Sequence, residues 1–294
     1  MFPSRSNFRL PFNEEVRLLN QRARVLITVK ASPEPSKSYG DTVCVAGVRL
    51  NDDGSGTWVR IYPVAFRHLD SELKFKKFEV IEVDLTRSPK DARAESYRPN
   101  WETLTRKKQN GKFKTYDADA RGPILEKLIG PTMCDLRTGV EADLNAQSLG
   151  LVEVRELKRL KFEDHGPWTK AQVASMTAIM SQPDLFGDVD TTPVLVAPRF
   201  KVHYDYLCMS PECKSHKPRI LDMELSALQH RYRFKSDAEL KAIIATKFHT
   251  EMWNGKVRTY FFVGNFGDIV KRKNFSVLGI YRPSSAADYL SALF

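Results

Sequence analysis

Four segments that read as β-strands follow one another between Arg24 and Leu85, and they limit the fold more than any other feature. Residues 24–30 are rich in β-branched side chains. Residues 42–50 and 57–62 flank the turn-forming run Asn51-Asp52-Asp53-Gly54-Ser55-Gly56. Residues 78–85 alternate apolar and polar, and Pro33, Pro35 and Gly40 mark an irregular loop between the first two segments. Four strands in about 65 residues with short connections predict a small β-barrel of the SH3, PUA or OB type.

The third predicted strand places Trp58, Arg60 and Tyr62 on one face, with Val59 and Ile61 on the other. An aromatic–arginine–aromatic face is a platform on which single-strand binders stack bases. The alternative is a cross-strand aromatic cluster beneath a loop. Downstream, residues 88–101 show little periodicity but hold Arg93, Tyr97 and Arg98. Arg106, Lys107, Lys108, Lys112 and Lys114 then surround Asn110-Gly111 without an intervening acid, which predicts an exposed basic hairpin able to follow a phosphate backbone, or else a solvated loop.

Residues 117–129 and 168–180 have helical spacing, and residues 148–162 read as a strand with a basic second half. Residues 182–198, with three prolines and three aspartates, read as a linker. The expected organisation is a β-rich basic domain over 1–165, a helix and linker over 166–198, and a mixed domain over 199–294. The last reads strand, knuckle, helix, helix, strand, strand, with Lys271, Arg272 and Lys273 as a basic tip. Pro11 and Asn13 announce a short N-terminal helix.

The knuckle is Cys208-Met209-Ser210-Pro211-Glu212-Cys213, followed by His216. Structural zinc takes four thiolate or imidazole ligands, paired two to four residues apart on tight turns. Cys208, Cys213 and His216 fit as three, and His203, His230, Cys44 and Cys134 are the alternatives for the fourth. The other reading is a free thiol pair beside a loop histidine. Beyond it, Leu221, Leu225, Leu228 and Tyr232 form a helical stripe, with Pro218 in the first turn and Asp222 and Glu224 near the positive end of the dipole. A sharper reading makes His216, Asp222 and Glu224 the centre of a metal-dependent nuclease or nucleic-acid-modifying enzyme. Residues two apart on a helix point about 200° apart, so both acids reach one ion only from extended chain.

Net charge of +10 favours polyanionic partners, with 12 Lys+Arg against 6 Asp+Glu between Lys74 and Lys114. An acidic protein partner would be served by the same surface. No run approaches the roughly 20 apolar residues of a membrane span, and the first residues lack a signal-peptide core, so a cytoplasmic protein is expected. Glycine-rich phosphate loops, a Gly-x-Ser-x-Gly elbow and zinc-deaminase signatures are all missing from the sequence.

Three stretches carry a resemblance that extends over most of the chain: Thr28-Val29-Lys30 through Tyr39-Gly40, Trp58-Val59-Arg60-Ile61-Tyr62-Pro63-Val64, and Cys208, Cys213, His216, Asp222 and Glu224 with Phe261-Phe262-Val263-Gly264-Asn265. They resemble a family of uncharacterised bacterial proteins with no established activity. The resemblance implies a bacterial cytosolic protein among nucleic-acid-handling or genome-defence genes, and it transfers no catalytic residue. The expected fold is α+β, an N-terminal barrel with a C-terminal mixed domain carrying the Cys/His knuckle. The expected function is nucleic-acid binding, with structural zinc.

Overall fold

The computed structural model describes residues 20–36, 40–109, 111–113, 115–180, 193–255 and 257–283. The expected N-terminal helix and most of the expected linker lie outside the described residues. The chain is mixed α+β, mostly strand, with two principal sheets.

The first sheet comprises β1 (Gln21–Lys30), β2 (Glu34–Ser36), β3 (Gly40–Leu50), β4 (Gly56–Val64), β5 (Val80–Arg87) and β6 (Ser96–Arg106). Its order is β1-β5-β6-β4-β3-β2, and a further β1–β3 pairing bends five strands into a near-closed ring. All contacts around the ring are antiparallel except β4–β6. Closure removes the exposed edges that an open sheet must otherwise protect. It also forces β1 against β3: a Cβ on Gly47 would stand 2.4 Å from the Leu26 carbonyl oxygen, so only glycine fits there.

The near-continuous apolar run of β1 follows from burial on both faces. Val25 and Ile27 fill the ring with Val43, Val45, Val59, Ile61, Ile81 and Val83. Leu26 and, beyond a bulge between Ile27 and Val29, Val29 and Ala31 point outward into a second core. β6, where the sequence shows little periodicity, has mostly half-exposed side chains, so neither face leaves an apolar alternation to read. After β6 come a hairpin of β7 (Lys108–Gln109) with β8 (Lys112–Phe113), then the helices α1 (Ala118–Glu126) and α2 (Met133–Ala142). α2 is a helix that the sequence reading did not contain.

The second sheet has the order β10-β9-β11-β12, from β9 (Leu149–Asp164), β10 (Phe200–Cys208), β11 (Tyr260–Asn265) and β12 (Phe275–Tyr281). β9 is long enough to serve two partners: residues 149–153 pair with β11 and residues 154–164 with β10. Three further helices follow, α3 (Lys170–Met180), α4 (Met223–Arg231) and α5 (Asp237–Ala245). α4 starts later than its stripe suggests, because Pro218 lies in an extended segment that bridges β10 and β12. α5 opens on the expected capping box of Ser236 and Glu239.

The outer face of the barrel packs on the second sheet. Leu26, Ala46, Val48 and Trp58 meet Leu149, Leu151, Phe262 and Leu278 in one core, with Trp58 edge-on to Phe262 at 6.3 Å. Polar bonds stitch the rim. Arg60 donates to the Ser148 carbonyl and hydroxyl at 3.2 and 3.0 Å, and the Ser148 amide donates to Glu95 at 2.7 Å. Arg93 donates to Asn265, and the Ser32 amide to the Leu221 carbonyl at 2.8 Å.

Two substitutions test this framework. Arg106 and Glu79 form a buried, bidentate ion pair, with the guanidinium 3.3 Å from the Phe113 ring centre. Arg106→Ala strands the buried Glu79 charge and is expected to destabilise the fold by about 3–5 kcal/mol in urea titration, with a much smaller loss in the Arg106→Met/Glu79→Leu double variant. Trp58→Ala opens a hole in the seam and is expected to lose about 3 kcal/mol. A Trp58→Ala protein as stable as the parent would place that ring outside the core.

Candidate functional site

Three of the four cysteines meet one histidine. Cys134 sits in the first turn of α2, fixed by the Thr132 and Asp135 capping box. Cys208 ends β10, Cys213 closes the turn with its amide on the Ser210 carbonyl at 3.1 Å, and His216 pairs back across Tyr206. Their ligand atoms all lie within 4.8 Å of one another. His216 Nε2 stands 3.4 Å from both Cys208 Sγ and Cys134 Sγ, and those sulfurs are 3.7 Å apart. A tetrahedral zinc with ordinary bond lengths requires S···S of about 3.8 Å and S···N of about 3.5 Å, so the cluster has the dimensions of a zinc site. Burial pushes the Cys134 thiol up to about 12 and the His216 imidazole down to about 4. Without an ion the ring is neutral and the Cys134 thiol protonated, so a metal bound there would have to displace the thiol proton. Cys134 is the fourth member that local spacing did not reveal. His203 faces Glu163, and Cys44 lies against Arg60.

The rim between barrel and sheet holds a groove of about 470 Å³. Its walls are the β1–β3 loop (Ala31, Ser32, Glu34, Pro35), Thr42 and Cys44 of β3, Arg60 and Tyr62 of β4, the β5–β6 loop (Ser88, Lys90, Asp91, Arg93) and Tyr97 and Arg98 of β6. Asn265, the last residue of β11, and residues 266–268 after it close the other side. Tyr62 is 38% exposed, and its hydroxyl accepts from Thr42 at 3.2 Å.

The expected platform of Trp58, Arg60 and Tyr62 is thus one face with three fates. Trp58 is half-buried against the second sheet, Arg60 is buried at the groove floor, and Tyr62 is exposed. Several expected surface cations are structural. Arg93 is buried between Asp91 and Asn265, and Arg272 donates to Asn145 and the Gly267 carbonyl, each at 2.9 Å. Arg106 is consumed by Glu79. Lys107 and Lys108 are exposed and reach Glu82 at 2.8 Å and Glu72 at 3.2 Å. Lys271 and Lys273 are exposed on either side of Arg272, Lys112 falls in β8, and Lys114 lies outside the described residues. Tyr97 and Lys90, absent from the expected interface, line the groove.

A second cleft, of about 510 Å³, lies across the Ala31–Asp222 bridge. It contains Lys30, Lys77, Phe78, Phe113, Tyr116, Arg121, Asp222 and Glu224. Asp222 caps α4, accepting from the Glu224 amide at 3.0 Å. Burial, then the neighbouring Glu224, push its carboxyl up to about 7, while burial lowers Lys30. His216 and Asp222 are not one site. Between them the chain is extended through the Arg219 and Ile220 bridges, a span of roughly 20 Å.

No curated protein matches the chain. Among solved structures, a replication protein A heterotrimer bound to single-stranded DNA is similar over 90% of this chain and 47% of that one, with 8% identity and a TM-score of 0.31. The chain thus spans about half that chain's length, and a likeness at this level carries no argument about fold or ligand. Among the described residues no helix is long and apolar enough to cross a membrane. Residues 21–127, from β1 through α1, match a domain of unknown function (DUF8758), and residues 129–293, which hold the Cys/His cluster, match a second domain of unknown function (DUF8757). Because the second match covers more than half of its length, the chain belongs to the DUF8757 family.

Proposed function

We propose that the protein binds single-stranded nucleic acid in the groove between barrel and second sheet, with a structural zinc ion in the Cys134, Cys208, Cys213 and His216 cluster. The observation that carries the reading is where the groove lies. Taken as five strands, the ring runs first-second-third-fifth-fourth-first, with the third and fifth parallel. That is the arrangement of an OB barrel, which receives oligonucleotides on its second and third strands between the first–second and fourth–fifth loops. The groove occupies that same face and is walled by those same two loops.

The chemistry of the walls supports the assignment. Tyr62 and Tyr97 present rings for base stacking, and Lys90 and Arg98 supply positive charge for phosphates. The wall from Asn265 to Asp268 makes this a slot rather than an open saddle, which favours a single strand over a duplex. A net charge of +10 supports the polyanionic partner. Tyr62→Ala is expected to weaken binding of a labelled oligonucleotide by about 1–3 kcal/mol, with the melting temperature unchanged. Lys90→Ala, at an exposed position on the groove wall, is expected to flatten the salt dependence of binding by about 0.7 per lost phosphate contact on a single strand. Binding unaffected by Tyr62→Ala would remove the groove from the interface. An absence of nucleic-acid binding at low salt would favour an acidic protein partner.

The metal reading rests on ligand chemistry. Three thiolates and one imidazole close the tetrahedron without an open position, which suits structural rather than catalytic zinc. The ion would tie α2 to the end of β10 and the following turn. Protein purified without chelator is expected to carry about one zinc per chain. Cys134→Ser should lower both zinc content and melting temperature, since binding energy at such a site is folding energy. Asp222→Asn should leave the zinc in place. Metal-free parent protein with undiminished stability would sink the assignment.

A further inference from the structure

We propose that the second cleft binds a small phosphorylated ligand bearing free hydroxyls, of the size of a nucleoside monophosphate. The cleft is separate from the groove, sharing with it Leu278 alone. The Ala31–Asp222 bridge and the bond from the Ser32 amide to the Leu221 carbonyl form the wall between them.

The first argument is charge without ion pairs, for the lysines lie over aromatic rings, Lys30 over Phe66 and Lys77 over Phe78 and Phe262, but are not paired with the acids. Lys30 and Lys77 line the cleft together with Asp222 and Glu224. Lys30 donates to the Phe75 carbonyl at 3.3 Å, Lys77 to the Ile280 carbonyl at 3.1 Å, and Asp222 accepts from its own helix. Among the described residues, no ion pair within 4 Å joins either lysine to either acid. Charges drawn out of water are normally paired, and here all four side chains line a cavity of about 510 Å³, within the size range of small-molecule sites. A ligand that satisfies both kinds of group offers an anion to the ammonium groups and hydroxyls to the acidic side chains. A phosphate with sugar hydroxyls is that combination. Phe113 and Tyr116 supply aromatic surface for a ring.

The second argument is strain. Phe78, with φ of +62°, is the sole non-glycine residue of positive φ among those described. Its amide is tied to the Ile27 carbonyl at 2.6 Å, and the Arg121 guanidinium lies 4.2 Å from its ring centre. Lys77 precedes it in the chain, with its ammonium held by the Ile280 carbonyl at 3.1 Å. Backbone held out of its comfortable range by such contacts is concentrated at ligand clamps.

Calorimetric titration of the full chain with AMP, GMP, CMP and UMP, and with adenosine and inorganic phosphate as partial probes, tests the inference. At least one monophosphate is expected to bind, and at least tenfold more tightly than the nucleoside. Lys77→Met and Lys30→Met should each weaken it about tenfold or more, the loss of one charge-assisted bond, with the melting temperature retained. Glu224→Gln, at a half-buried position, should weaken it as well. Tyr62→Ala should leave it unchanged while impairing strand binding, so failure of one reading is distinguishable from failure of the other. The inference falls if no monophosphate binds. It falls equally if binding survives Lys30→Met and Lys77→Met, or if it is lost on Tyr62→Ala.

Discussion

The seam between the barrel and the second sheet is the contact on which the rest of the molecule depends. Its centre is apolar, with Trp58, Leu26 and Val48 against Phe262, Leu151 and Leu278. Its rim is polar, stitched by Arg60, Glu95, Arg93 and the Ala31–Asp222 bridge. An apolar centre supplies association without direction, and the rim bonds fix register. Both clefts are what remains where the two units touch but do not fill the space. The groove and the second cleft flank one line of contact, so neither would survive separation of the units.

The seam also changes the meaning of the basic composition. Arginine is an effective structural residue because its planar fork serves several acceptors at once and stays charged when buried. Arg60, Arg93, Arg106, Arg121 and Arg272 are all nearly buried or in buried pairs, and each ties together distant parts of the chain. They contribute to net charge but little to the surface a polyanion would meet. That role passes to the exposed lysines, Lys90, Lys107, Lys108, Lys271 and Lys273, and to Arg98 at the groove.

The Cys/His cluster stabilises a different part of the fold. α2 is short, and only Met133, Leu136 and Val140 are buried along it. Such a helix has little intrinsic stability, and a closed metal centre through Cys134 would fix it to β10 more firmly than those three contacts. The same centre would hold the segment from His216 to Asp222 in its extended course, and with it one wall of each cleft.

The sequence by itself determined what is local. β-branched content and alternation marked β1, β3, β4 and β5, the Asn51–Gly56 run marked the hairpin of β3 with β4, and the Cys208–Cys213 spacing marked a knuckle with His216 beside it. Ser236 was legible as a helix start because a capping box is written in four residues, whereas Asp222 read only as an acid in a helix opened by Pro218 and proves to be the cap itself. Tertiary structure decided everything that joins distant residues. Cys134 stands 74 residues before Cys208 and carries no spacing signal of its own. The face of Trp58, Arg60 and Tyr62 was legible as a face, but which part of it the second sheet would cover was not, since Phe262 lies 204 residues away. The cleft of Lys30, Lys77, Asp222 and Glu224 comes from opposite ends of the chain. Periodicity and capping are properties of neighbouring residues, whereas a site is a property of surfaces brought together, and only folding brings them together.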